Sequence, residues 1–300
     1  MSIGIVVGVH DGVVIASDSA STLIVSVAPN NITGVANVYD NANKIFNLYK
    51  VLPIGCVTYG AGSIGNASIG TLIKDLRAKL MRKDEASKLG FDPTSYTMKS
   101  VSEILAKFLE DECQKQSDAS RVGMNIGLLV GGYSTGENLG ETWAIDIQGG
   151  KTQSVRQMRK PEEPGISWGG AGEAIQRIVM GFSANLFSVL ASISGGPNQT
   201  PVTPQDLLNQ LNPILTANLQ AQLVFAPMPI QDAIDLARFL VHASIMYSRF
   251  LPGAQIVGGP IEIAAITKHE GFKWISRKHY YDASLNREAQ HVVVDRREEG

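Results

Sequence analysis

The chain has 300 residues, 44% hydrophobic and 18% charged, a balance that excludes a disordered protein and allows one large core. Its 26 Lys and Arg against 28 Asp and Glu give a net charge of −2, without the basic excess of a nucleic-acid binder. Two cysteines exclude a disulfide scaffold or a zinc cluster, and no apolar run has the length of a bilayer span. With no basic segment and apolar core ahead of the first element, no signal peptide is expected and the chain reads as cytoplasmic. The glycosylation-type triplets at Asn31, Asn66 and Asn198 are then expected to be chance matches.

In chain order, Ile3 to Val9 and Val13 to Ser17 are apolar, β-branched runs separated by His10-Asp11-Gly12. Asp-Gly supplies the positive φ of a tight turn, so a hairpin is predicted. Residues 22–28 suit a further strand and the Asn-rich stretch 29–43 a loop. Strands are predicted at 44–49 and 54–59, broken at Leu52-Pro53. Ile69, Leu72, Ile73, Leu76 and Leu80 recur at helical spacing. Val101, Ile104, Leu105 and Phe108 mark a second helix, with a capping box expected from Ser100 to Glu103. Strands follow at 121–132, 142–147 and 153–157, then a helix over 173–187. A Gly, Ser and Pro-rich break at 192–204 leads into helical sequence at 207–225, interrupted at Pro213. A helix at 230–247 and strands at 260–267 and 272–275 complete the pattern. Strands and helices come in blocks, which predicts an α+β protein with antiparallel sheets faced by helices. A single domain is expected over 1–276, with a helical insertion at about 192–229 and a charged tail over 277–300.

The chemistry is concentrated at the beginning. Loss of Met1 would leave Ser2 with a hydroxyl and an α-amine whose ordinary pKa is about 7.7–8.0, a base usable at neutral pH. A hydroxyl beside its own base is an activated nucleophile. His10, His242, His269 and His279 lack metal-ligand spacing, so no metal or cofactor is expected. The Gly169-Gly170-Ala171-Gly172 run has no following Lys-Ser/Thr and is not a phosphate loop.

Five segments in order carry a resemblance: Asp11-Gly12-Val13-Val14-Ile15-Ala16-Ser17-Asp18-Ser19, Asn43-Lys44-Ile45-Phe46, Leu128 to Gly132, Ile145 to Gly150 and Gly258 to Ile266. Together they resemble the proteasome β-subunit family of N-terminal-nucleophile (Ntn) hydrolases, including its bacterial-type relatives, from about Ser2 to Trp274. The resemblance implies a four-layer αββα sandwich. It implies Ser2 as nucleophile where the family has threonine, Asp18 as the acidic residue, Lys44 as the catalytic lysine and Gly60 as the oxyanion-binding glycine. Ser21, Ala42, Thr58 and Gly62 would wall a small, uncharged substrate pocket. The family also implies a peptide or unfolded-protein substrate, a homo-oligomeric ring or open spiral, and an unfoldase partner. An inactive structural subunit and a small-amide hydrolase are the competing expectations. Two departures bear on activity: Ala171 stands where the family has a serine, and Ala254-Gln255-Ile256-Val257 where it has Asp-x-x-Ser. Ser167, Glu173 and Gln255 are the candidates to take over that work.

Overall fold

The computed structural model describes residues 2–27, 32–193 and 203–279. Met1, Asn31, Asn198 and all but the first three residues of the charged tail lie outside the described residues. In chain order the strands are β1 (Ile3–Val9), β2 (Gly12–Ser17), β3 (Ser21–Val27), β4 (Ile32–Tyr39), β5 (Ile45–Asn47), β6 (Ile54–Gly60), β7 (Ser63–Ile64), β8 (Ala67–Ser68), β9 (Asn125–Gly132), β10 (Glu141–Gln148), β11 (Lys151–Arg159), β12 (Gly165–Gly170), β13 (Glu262–Thr267) and β14 (Gly271–Ser276). The helices are α1 (Ile69–Leu80), α2 (Lys83–Lys88), α3 (Met98–Gln114), α4 (Asp118–Arg121), α5 (Glu173–Met180), α6 (Leu186–Ile193), α7 (Pro204–Leu219) and α8 (Ile230–Phe250).

Two five-stranded sheets, ordered β12-β1-β2-β13-β14 and β11-β10-β9-β6-β5, are antiparallel throughout. Side chains of a strand alternate between faces, and that alternation sorts the core into three interlayer clusters. Val6, Val13, Ile15, Ala264 and Ile266 of the first sheet meet Ile45, Val57, Leu129 and Ala144 of the second. The intervening positions Ile5, Val7, Val14, Ala16, Ile263 and Ala265 face away, onto Ile175 of α5 and Ala233, Ala237 and Val241 of α8. On the outer face of the second sheet, Cys56, Leu128, Val130 and Ile145 pack on Ile73 and Leu76 of α1 and Leu105 and Leu109 of α3. Helix, sheet, sheet, helix: the architecture is the four-layer αββα sandwich.

The structure differs from the sequence-based expectations at several points. The 29–43 stretch contains β4, which pairs with β3 in a separate hairpin. The capping box of α3 is Thr97 with Ser100, each side chain bonded to the other's backbone N–H at 3.1 Å, so the helix begins a turn early. The predicted 173–187 helix is two helices, because Gly181 ends α5 at φ +80° and a left-handed residue closes a helix. Helix α7 begins at Pro204, held by Thr203 and Asp206, passes through Pro213 and ends at Leu219 rather than Phe225. Strand β12 was not expected at all. Its glycines carry no strand signal, yet it pairs with β1 from Ile3 to Gly8.

Candidate active site

Ser2 is buried immediately ahead of β1. It is held by β12: the Ala171 N–H donates to the Ser2 carbonyl oxygen at 2.8 Å. Gly170, at φ +92°, passes so close that a β-carbon there would collide with that same oxygen. Glycine alone permits both the conformation and the approach. One pair of residues later, Ser17 Oγ donates to the Ile3 carbonyl at 2.8 Å. The backbone around Ser2 is therefore fixed by the strands on either side of it.

Asp18 closes β2 and is fully buried. Its Oδ1 accepts from the Lys44 ammonium at 2.6 Å and from the Ile3 N–H at 3.1 Å. Its Oδ2 accepts from the N–H groups of Ala20 at 3.1 Å and Gly258 at 3.0 Å. One carboxylate thus ties the backbone next to Ser2 to the lysine on the loop before β5. Lys44 is itself almost buried. Burial is the largest influence on it and pulls its pKa below the ordinary lysine value; Asp18 and Glu262 oppose that, while Lys278 adds to it.

Ser2 and Lys44 line a cavity of about 370 Å3. All four expected pocket residues, Ser21, Ala42, Thr58 and Gly62, line it too, with Gly60. The cavity is not uncharged. Its lining includes Lys44 and the exposed Lys74 of α1, and no carboxylate among the described residues. A second cavity of about 240 Å3 opens on Ser2, Tyr59 and Gly60 from the side of Gly127, Asp146 and Gly170. Tyr59 stands between Gly127 and Gly169, where β-carbons would strike its ring, and burial pushes its pKa up to about 12.

Gly60 is required for a reason apart from any substrate. It has φ +90°, and a β-carbon would strike the Asn125 carbonyl oxygen. Of the residues expected to compensate for Ala171, none lines either cavity. Glu173 pairs with Arg177 at 2.8 Å and accepts from the Ala184 N–H. Gln255 donates to the Val257 carbonyl at 3.1 Å, and Ser167 is buried opposite Val6.

One charged group at the site was missed. Lys278, just past β14, places its ammonium 2.9 Å from Ser19 Oγ, 2.8 Å from the Ala42 carbonyl oxygen and 2.7 Å from Glu262. Nothing in a charged tail announces such a contact; only the sheet brings the segment back beside β2. Among the described residues no cluster of His, Cys, Asp and Glu is placed to hold a metal ion, and no helix is long and apolar enough to cross a membrane.

The fold is α+β, in the layered arrangement of proteasome-like proteins. Solved structures that share it include an Anbu (Gly-1) mutant from Hyphomicrobium sp. strain MC1, 13% identical, with a TM-score of 0.50 over 95% of this chain and 92% of that one. Anbu (ancestral beta-subunit) from Yersinia bercovieri is 12% identical, with a TM-score of 0.49 over 92% of this chain and 88% of that chain. No protein-family model and no curated protein matches the chain. The resemblance to the proteasome β-subunit family is therefore corrected. Five short motifs in order match a fold, and at this identity the likeness reaches the fold and no further.

Proposed function

We propose that the protein is a hydrolase whose nucleophile is Ser2, acting on a peptide or amide carbonyl once the residue ahead of Ser2 has been removed. The observation that supports this best is the shared Asp18 oxygen, bonded both to the Ile3 N–H and to Lys44. It fixes a cation in the same cavity as Ser2. In the reaction, Ser2 Oγ attacks the carbonyl carbon and its proton passes to the Ser2 α-amine. The tetrahedral intermediate collapses, the carbon–nitrogen bond breaks, and the α-ammonium gives its proton to the departing amine. Water then attacks the acyl ester, and Ser2 Oγ is released with its proton. Lys44, as an ammonium, lowers the pKa of both the hydroxyl and the amine, while the Gly60 N–H is the proposed oxyanion donor. The cavity on the Lys44 side takes the acyl portion, with Ser21, Ala42, Thr58 and Gly62 as its walls.

A homo-oligomer in the cytoplasm fits this reading. The 192–229 segment leaves Ile193, Ile214, Leu219 and Phe225 exposed, apolar surface that a neighbouring copy would cover. A second reading, a subunit that keeps the scaffold without the chemistry, is favoured by one observation. Ala171 meets Ser2 only through its backbone, so no hydroxyl at that position supports the amine. The deciding test is intact mass after treatment with an electrophilic peptide inhibitor. A single adduct, lost in Ser2→Ala, supports the hydrolase. Absence of any adduct on protein whose N-terminus is shown to be Ser2 supports the second reading.

A further inference from the structure

Three charged side chains besides Lys44 lie within one small region, and the proposed reaction uses only Asp18. Of the other two, Glu262 is buried at 2% side-chain exposure and Lys278 is partly buried at 13%. Glu262 opens β13 and stands opposite Ser17 of β2, so it sits directly behind the residue that precedes Asp18. Lys278 holds it twice, by the ammonium at 2.7 Å and by the backbone N–H to Oε1 at 3.4 Å. The remaining bonds of that ammonium go forward, to the wall of the Ser2 cavity. Ala42 is such a wall residue, and its N–H already donates to the Ser19 carbonyl at 2.9 Å. Ser19 Oγ in turn donates to the Pro260 carbonyl at 2.6 Å. Lys278 thus closes a ring of bonds joining the wall, the turn after Asp18 and the entry to β13.

We propose that Lys278 is a positioning residue of the Ser2 site, fixing the Ala42 wall and, with Glu262, setting the electrostatic field in which Lys44 works. The inference rests on the reading of Ser2 and Lys44 as the reactive pair. The buried Glu262 carboxylate would be unfavourable without a cation of its own, and a second, partly buried ammonium acting on Lys44 would be unfavourable without an anion. The two influence Lys44 with opposite sign. The charged groups facing Lys44 are Asp18, Glu262 and Lys278. Removing Lys278 takes away a like charge and raises the pKa of Lys44. Removing Glu262 takes away an opposite charge and lowers it.

The test follows Lys44 by NMR of protein carrying ¹³C at lysine Cε, in wild type, Lys278→Met, Glu262→Gln and the double variant, with hydrolysis measured on the same samples. The Lys44 titration is expected to move up in Lys278→Met and down in Glu262→Gln, each by roughly half a unit or more. The double variant, which buries neither charge unpaired, is expected to fold and to titrate near wild type. It therefore keeps the proposal testable if Lys278→Met fails to fold. KM is expected to rise several-fold in Lys278→Met and in the double variant, because both release the Ala42 wall. A Lys44 titration unmoved in both single variants overturns the proposal, and so does an unchanged KM in the double variant. Opposite shifts in protein that hydrolyses nothing support the electrostatic role and overturn the hydrolase reading instead.

Discussion

The surroundings of Ser2 and helix α7 are built on opposite terms. Around Ser2 the Ser2 carbonyl, the Ile3 N–H and the Ile3 carbonyl all have partners, glycines allow approaches closer than any side chain would permit, and Asp18 is fully excluded from solvent. Helix α7, in contrast, buries none of its residues, and Ile214 and Leu219 are half exposed or more. The first region is determined by bonds that lose their meaning if a strand moves. The second is determined by local helix signals, a Thr203–Asp206 cap and a proline at the first turn. Substitutions should therefore be tolerated very differently in the two places.

The largest expected effect is on turnover. Lys44→Ala should cost about 10²–10⁴ in rate while the fold survives, because Asp18 still accepts three backbone N–H bonds. Steady-state kinetics alongside circular dichroism would check this, and near wild-type turnover would remove Lys44 from the mechanism. Asp18→Ala is the stability counterpart. It strands the buried Lys44 ammonium and three N–H donors, for a loss of about 3–5 kcal/mol read by denaturant unfolding. Gly170→Ala forces a β-carbon onto the Ser2 carbonyl at φ +92° and should cost about 1–3 kcal/mol with loss of activity. If Gly170→Ala is as stable as wild type, the tight cradle around Ser2 is not essential.

Acidity sharpens the same contrast. The ammonium form of Lys44 is the active one in the proposed reaction, and its pKa is lowered, chiefly by burial. Activity should thus fall, as pH rises, below the 10.5 of an ordinary lysine. A pH–rate profile that stays flat through that value would contradict it. Smallest is the effect of Ile214→Gln with Leu219→Gln on the insertion. Each should change subunit stability by no more than about 0.5 kcal/mol, yet light scattering should show a smaller assembly if this surface is a subunit contact. Deleting the whole of 192–229 is a poorer test. Its last part, through Val224 and the Ala226 carbonyl that accepts from His10, packs on the first sheet.

How much of this was readable beforehand varied with the physics of each segment. The β1–β2 hairpin was legible because β-branched runs on either side of a short polar turn are local signals, but the turn is His10-Asp11, and Gly12 opens β2 without the expected positive φ. Legible too were α1 and α3, whose apolar stripes repeat at helical spacing. Strand β4 was hidden by asparagines that normally mark loops, and β12 by glycines that are required by Tyr59 and Ser2 rather than by strand formation. Gly60 was anticipated, but for crowding at a substrate carbonyl; the Asn125 carbonyl is what demands it. Motif order brought Ser21, Ala42, Thr58 and Gly62 onto one cavity with Ser2, whereas Lys74 and Lys278 belong to no motif and gave no such signal. The burial of Lys278 is a tertiary fact: its partner Ser19 lies 259 positions away.

That separation sets the order in which the molecule becomes competent. The bond from Gly258 to Asp18 spans 240 residues, and the one from Ala171 to Ser2 joins the first strand to the middle of the chain. Ser2 and the groups that support it are thus far apart along the chain. A nascent chain that has not yet delivered residues 258–278 holds Ser2 without a fixed Asp18, and contacts this distant in sequence form late and slowly. Under the proposed reaction, the long-range pairing of β2 with β13 would withhold reactivity until residues 258–278 have joined the fold.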